Sequence, residues 1–230
     1  MAFTWPGFRR AERVGASVRP SIAATRPAEA KSSRTAMAFT VTGQPVWTPR
    51  DYAALAREGY LKNPIVHRAV RLISEAAASV PWLLYEGARE FDRHPLLDLL
   101  ARPNEREAGP AFLERVYGHL AVAGNAYIEC VSIEGRPREL HALRPDRMRV
   151  VPGATGWPEA YDYTVDGKTV RFPQTLGLGG GVRPILHLST FHPLNDHYGA
   201  APLEAALTSL DVHNATTAWA KALIDNSARP

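Results

Sequence analysis

Residues 110–127, PAFLERVYGHLAVAGNAY, permit few folds, because a helix pattern runs into Gly124-Asn125 and must leave at once as a strand. Phe112, Leu113, Val116, Tyr117, Leu120 and Ala121 recur on one helical face, so the helix needs an apolar surface to lie on. Gly124 supplies the left-handed exit that side chains with a Cβ resist. The following NAYIECVSI has strand character. Gly118 costs about 1 kcal/mol relative to Ala in a helix interior, which predicts close packing against a neighbour.

Upstream, HPLLDLLARPN predicts a short helix that starts at His94-Pro95 and ends before Pro103, since a residue preceding proline is pushed from helical geometry. Farther upstream, Asn63-Pro64 separates two helix signals. Asn63 is suited to cap the second, with Pro64 in its first turn. Val66, Ala69, Val70, Ile73, Ala76, Ala77 and Val80 then form one expected apolar stripe, ended by Pro81, and WLLYE reads as a strand.

Downstream, ELHALRP, MRVVP, AYDYTV, KTVRFP and ILHLSTF read as short strands, with a hairpin at Asp166-Gly167. A long final helix is expected after Pro202, with Leu203, Leu207, Leu210, Asn214, Thr217, Lys221 and Ile224 in register. The pattern predicts an α+β class: a helical region, then strands and hairpins, then the long helix.

Charge divides the chain. Of its 27 Lys and Arg, eight lie in residues 1–50 against two of the 23 acids, leaving 19 bases and 21 acids beyond, a balance of −2. The positive excess therefore belongs to residues 1–45, read as a disordered basic leader, and the ordered region is expected over 46–230. An Arg-rich, acid-poor start also fits an organellar transit peptide. No apolar run reaches the roughly 18 residues of a membrane span, and the single Cys130 excludes an internal disulfide.

Catalytic motifs are few. The glycine-rich QTLGLGGGVRP lacks G-x-G-x-x-G because Val182 stands where the last glycine belongs, and no P-loop, G-x-S-x-G or H-E-x-x-H occurs. His192, Asp196 and His197 in FHPLNDHYG form the densest acid and imidazole cluster, read either as a metal site or as a polar turn. Cys130 reads as a small buried hydrophobe, and His141 and His187 as exposed or satisfied by a neighbour. No residue is assigned a catalytic, cofactor-binding or metal-binding role.

The ordered series NPIVHRAVRLISEAAASVPWLLYE, HPLLDLLARPNEREAGPAFLERVYGHLAVAGNAYIEC, RELHALRPDRMRVVP, ILHLSTF, YGAAPLEAALTSL and NSARP resembles the portal proteins of HK97-type tailed phages. The leader together with VWTPRDYAALAREGYLKNP is similar to portals of alphaproteobacterial gene transfer agents. The resemblance covers about residues 46 to 230, and its most specific pieces are HPL-LL-PN, GN-Y and YG-APLEAA. It implies a portal fold in which residues 50 to 123 belong to the wing, while the strands and last helix contribute clip and stem. It also implies an N-terminal portion of a longer protein.

The function so implied is structural, without enzymatic activity or cofactors. A homo-oligomeric, dodecameric ring at one capsid vertex would surround the channel for double-stranded DNA. Its implied partners are the terminase large subunit, the major capsid protein and a head-tail adaptor, with no membrane. Its place is a virion or gene transfer agent particle assembled in the bacterial cytoplasm, from an active particle or a prophage. The alternatives from the residues are an imported or DNA-binding adaptor with a basic tail, and a metal-dependent enzyme using His192 to His197.

Overall fold

The structure is a computed structural model that describes residues 47–174 and 182–227. The leader and most of the glycine-rich stretch lie outside these residues. The first helix, α1 (Tyr52–Ala54), is capped by Asp51 and continues as a π-helical segment, Leu55–Leu61. Within that segment Gly59 faces the tips of Leu203 and Leu210, where a Cβ would lie 3.3 Å from each.

Helix α2 (Pro64–Ala78) begins as expected, with Asn63 Oδ1 accepting from the N–H groups of Ile65 and Val66 and Pro64 in the first turn. Its stripe divides differently. Val70, Ser74 and Ala78 are buried, whereas Ile65, Leu72, Ile73 and Val80 are exposed. Helical spacing identified an amphipathic segment, but two apolar rows cover more than one face and a single neighbour takes only one of them.

WLLYE contributes only its end, in the hairpin of β1 (Tyr85–Glu86) and β2 (Arg89–Glu90). Trp82 and Leu83 precede it as exposed irregular chain. Helices α3 (Pro95–Ala101) and α4 (Gly109–Ala123) follow, and α4 passes through Gly124 at φ 68° into β3 (Asn125–Ile133).

Strand β3 is the middle of an antiparallel sheet ordered β4 (Arg136–Leu143), β3, β8 (Ile185–Ser189). A second antiparallel sheet, β5 (Met148–Pro152), β6 (Pro158–Val165), β7 (Lys168–Pro173), contains the expected Asp166-Gly167 turn, both residues at positive φ. Successive side chains of a strand point to opposite faces. Ala126 and Ile128 accordingly join Phe112, Leu113 and Val116 of α4, while Tyr127 joins Met148, Val150, Tyr161 and Ile185 on the other side. The first sheet thus lies between α4 and the second sheet.

The C-terminal helix is broken at Ala206 into α5 (Pro202–Ala205) and α6 (Leu207–Asp225). Leu207 and Leu210 are buried, and Asn214 exchanges hydrogen bonds with Asn63 and the Glu58 carbonyl. Beyond it the expected stripe loses its cover, and Thr217, Lys221 and Ile224 are exposed.

Candidate assembly surface

The three most specific sequence pieces are joints of backbone. In the first, Asn104 is buried, its Oδ1 accepting from the N–H groups of Arg106 and Glu107 while its Nδ2 donates to the Leu140 carbonyl. Leu140 N–H in turn donates to the Pro103 carbonyl at 2.8 Å. The Pro103-Asn104 turn therefore closes part of the outer edge of β4. The second and third pieces meet each other. Asn125 Oδ1 accepts from Gly199 N–H at 2.8 Å and from His187 Nε2 at 3.0 Å, and its Nδ2 donates to the carbonyls of Ala123 and Gly199. A Cβ on Gly124 would stand 2.3 Å from the Ala200 carbonyl oxygen.

Around this joint lies an aromatic group that the sequence reading did not assemble. Tyr127 and His187 stack at 4.2 Å between ring centroids, and Tyr161 meets both edge-on. These residues sit on different strands, so no local spacing signals their meeting. Burial and the neighbouring His197 hold His187 down to about 4. The ring is thus neutral near pH 7, with its proton on the nitrogen that serves Asn125.

The other candidate residues take local roles. His192 Nδ1 accepts from Leu194 N–H, and Asn195 Oδ1 accepts from the N–H groups of His197 and Tyr198, which makes the segment a hydrogen-bonded turn. Asp196 and His197 line a cleft rather than face His192 across a site. Among the described residues, no group of three His, Cys, Asp or Glu comes together. His141 pairs with Glu139, and half-buried Cys130 has its thiol pushed up by desolvation.

Asp162 was not singled out by the sequence. Lying on β6 between Arg149 and Arg171 of the flanking strands, it is bonded by both, and those bonds, Arg171 foremost, hold it down to about 2. The two arginines thus serve the sheet.

What remains is surface. The outer face of α2 presents Ile65, Leu72 and Ile73, with Ile73 60% exposed, and the exposed apolar residues continue beyond the helix at Val80, Trp82 and Leu83. Helix α6 presents Val212, Trp219 (65% exposed) and Ile224. Its last turns are largely exposed, and helices of this length gain most of their stability from tertiary packing. Two exposed apolar faces on one chain suit association with other chains.

Comparison with known proteins agrees. The family model described as phage portal protein matches residues 64–230. The chain belongs to the phage portal protein family. Among solved structures, it is similar to a chain in the neck of an empty gene transfer agent particle, computed with C6 symmetry, at 51% identity and a TM-score of 0.74. That match covers 82% of this chain and 50% of the other. A chain in the neck of the native particle, computed with C12 symmetry, matches at 50% identity and 0.69, covering 82% and 49%. An uncharacterized protein of Rickettsia bellii is 34% identical over 176 residues, covering 75% of this chain and 44% of the relative. Another from Rickettsia felis is 32% identical over 175 residues, with the same coverage. The chain spans about half the length of these relatives. The expected α+β portal fold and its likeness to gene transfer agent portals are both shown.

Proposed function

We propose that the chain is a structural subunit of a portal ring, with residues 50 to 123 belonging to the wing and the strands and last helix contributing to clip and stem. The observation that carries this reading is a half-identical chain, matching over 82% of this one, in a neck with twelvefold symmetry. The surface supports it. A head-to-tail ring needs two different patches per subunit, and the exposed faces of α2 and α6 differ in position and residue content.

In this role the ring surrounds the passage for double-stranded DNA during packaging and ejection. Terminase docks on it first and a head-tail adaptor later, within a shell of major capsid protein, and chemistry is left to the motor. Residues beyond 50 carry 19 bases and 21 acids, so their net charge gives DNA little general attraction. Each added phosphate contact would strengthen salt-dependent binding and slow sliding. The metal-enzyme alternative has no observation in its favour.

Native mass spectrometry of the purified chain tests the reading. The expected result is one large closed stoichiometry whose formation is lost when Trp219 is replaced by Glu. A monomer at every concentration, or a dimer alone, overturns it.

A further inference from the structure

Helix α6 meets the rest of the chain along a short stripe near its start. Leu207 and Leu210 are buried, and Gly59 leaves room for Leu210, because a Cβ there would lie 3.3 Å from its tip. Asp211 and Asn214 belong to the same side of the helix, since residues three and four apart are neighbours on a helix surface. From Ala215 to Asp225 every residue is exposed except half-buried Leu223. At a rise of 1.5 Å per residue, Ile224 lies about 15 Å beyond Asn214, and a tilt of about 10° there would carry it about 3 Å sideways.

Two polar side chains fasten this stripe. Asp211 accepts from both donors of Thr48, the backbone N–H at 3.0 Å and the hydroxyl at 2.5 Å. Asn214 Oδ1 accepts from Asn63 Nδ2 at 3.0 Å, and Asn214 Nδ2 donates to the Glu58 carbonyl at 2.9 Å. That carbonyl needs a donor from outside its own segment. Lys62 and Asn63 carry the N–H groups that would reach it in an α- or a π-helical turn, and both donate to the Gly59 carbonyl instead. Asn63 is buried, and its Oδ1 is taken up in capping α2. Asn214 thus completes the end of the π-helical segment and, through Asn63, reaches the start of α2.

Contact between leucines has no preferred direction, so Leu207 and Leu210 hold α6 down without setting its angle. Hydrogen bonds weaken steeply when misaligned, and the bonds of two side chains one turn apart set rotation, slide and tilt together. Polar groups between helices that fix register at some cost in stability act in the same way. We infer that Asn214 and Asp211 are positioning residues that fix the direction of the exposed half of α6, with Asn63 tying that direction to α2. Val212, Trp219 and Ile224 are thereby held at a set distance from the outer face of α2. The use of this in a ring rests on the reading above, since a face displaced by about 3 Å loses the close fit of an interface core. The pinning itself acts within one chain.

Electron–electron double resonance on the full chain tests it, with spin labels at A69C on α2 and A220C on α6, both exposed positions, and Cys130 replaced by alanine. The labelled chain is diluted into excess unlabelled chain, so that only distances within one chain are read. One narrow distribution is expected in this background. N63S/N214L keeps a cap on α2 through the serine hydroxyl and keeps apolar contact, yet should widen the distribution at least about twofold as α6 samples several directions. L210A, which removes apolar contact and leaves the polar bonds, should lower the urea midpoint without widening the distribution. Should N63S/N214L fail to fold, N214D gives the deciding comparison, because it keeps the shape but has no donor for the Glu58 carbonyl, and the same widening is expected. A distribution as narrow in the deciding variant as in the background overturns the inference. So does widening by L210A as large as that by the polar variant, because the leucines then set the angle. Ring formation is not read in either result, since monomers and rings give the same distance within one chain.

Discussion

Replacing Gly124 by alanine probes the helix-to-strand joint on which the sheet and α4 both depend. At φ 68° an L side chain is strained by about 1–2 kcal/mol. The added Cβ would lie 2.3 Å from the Ala200 oxygen, 2.4 Å from its carbon and 2.8 Å from the Ala201 nitrogen. All three are backbone atoms, so no side chain can rotate away and the joint itself must open. Overpacking of this kind costs about 1–3 kcal/mol, giving a total of about 2–5 kcal/mol. With a urea slope of about 2 kcal/mol per molar, the midpoint of unfolding should fall by about 1 to 2.5 M. Gly118→Ala is the matched control. Its Cβ would meet only Ser74 Oγ, at 3.8 Å, and removing glycine from a helix interior gains up to about 1 kcal/mol. A midpoint for G124A within about 0.3 M of the unaltered protein, or a G118A loss as large as that of G124A, would refute the reasoning.

Asn125→Ala deletes the contacts to Gly199, Ala123 and His187 together and leaves buried groups unpaired. A loss of about 2–4 kcal/mol is expected in the same urea titration, with Asn125→Asp no full rescue because it lacks the amide donor. His187 and His119 are both held down to about 4, His119 by burial and then by Arg115. Below the ordinary histidine range the unfolded chain takes up protons that the folded chain refuses, so stability should fall as pH drops from about 6.5 to 4. The expected slope is up to about 1 kcal/mol per pH unit for each histidine, less for partly exposed His187, and H187N/H119N should flatten it in thermal melts. Ile73→Asp on the open face of α2 should change subunit stability by no more than about 0.5 kcal/mol, yet reduce association in sedimentation velocity by at least about tenfold.

Local rules carried the reading far along the chain. Asn63-Pro64, His94-Pro95 and Asp166-Gly167 each place a cap or turn through bonds made within a few residues, and Gly124 placed the corner. Where the reading diverged, the deciding partner was distant. The buried row of α2 is selected by α4, and at the start of WLLYE Trp82 and Leu83 have no strand partner among the described residues. Gly118, expected to mark close packing, instead lines an opening between α2 and α4. The bonds between Asn125 and Gly199, 74 residues apart, explain why GN-Y and YG-AP occur together, but no periodicity within either segment reveals them.

Rotational symmetry in electron micrographs of the purified chain tests the central claim most directly. A subunit built to tile around a passage should give end-on averages of one closed ring with an open axis and the twelvefold symmetry of the related native neck. Fields of single compact particles, or open chains that never close, would contradict it.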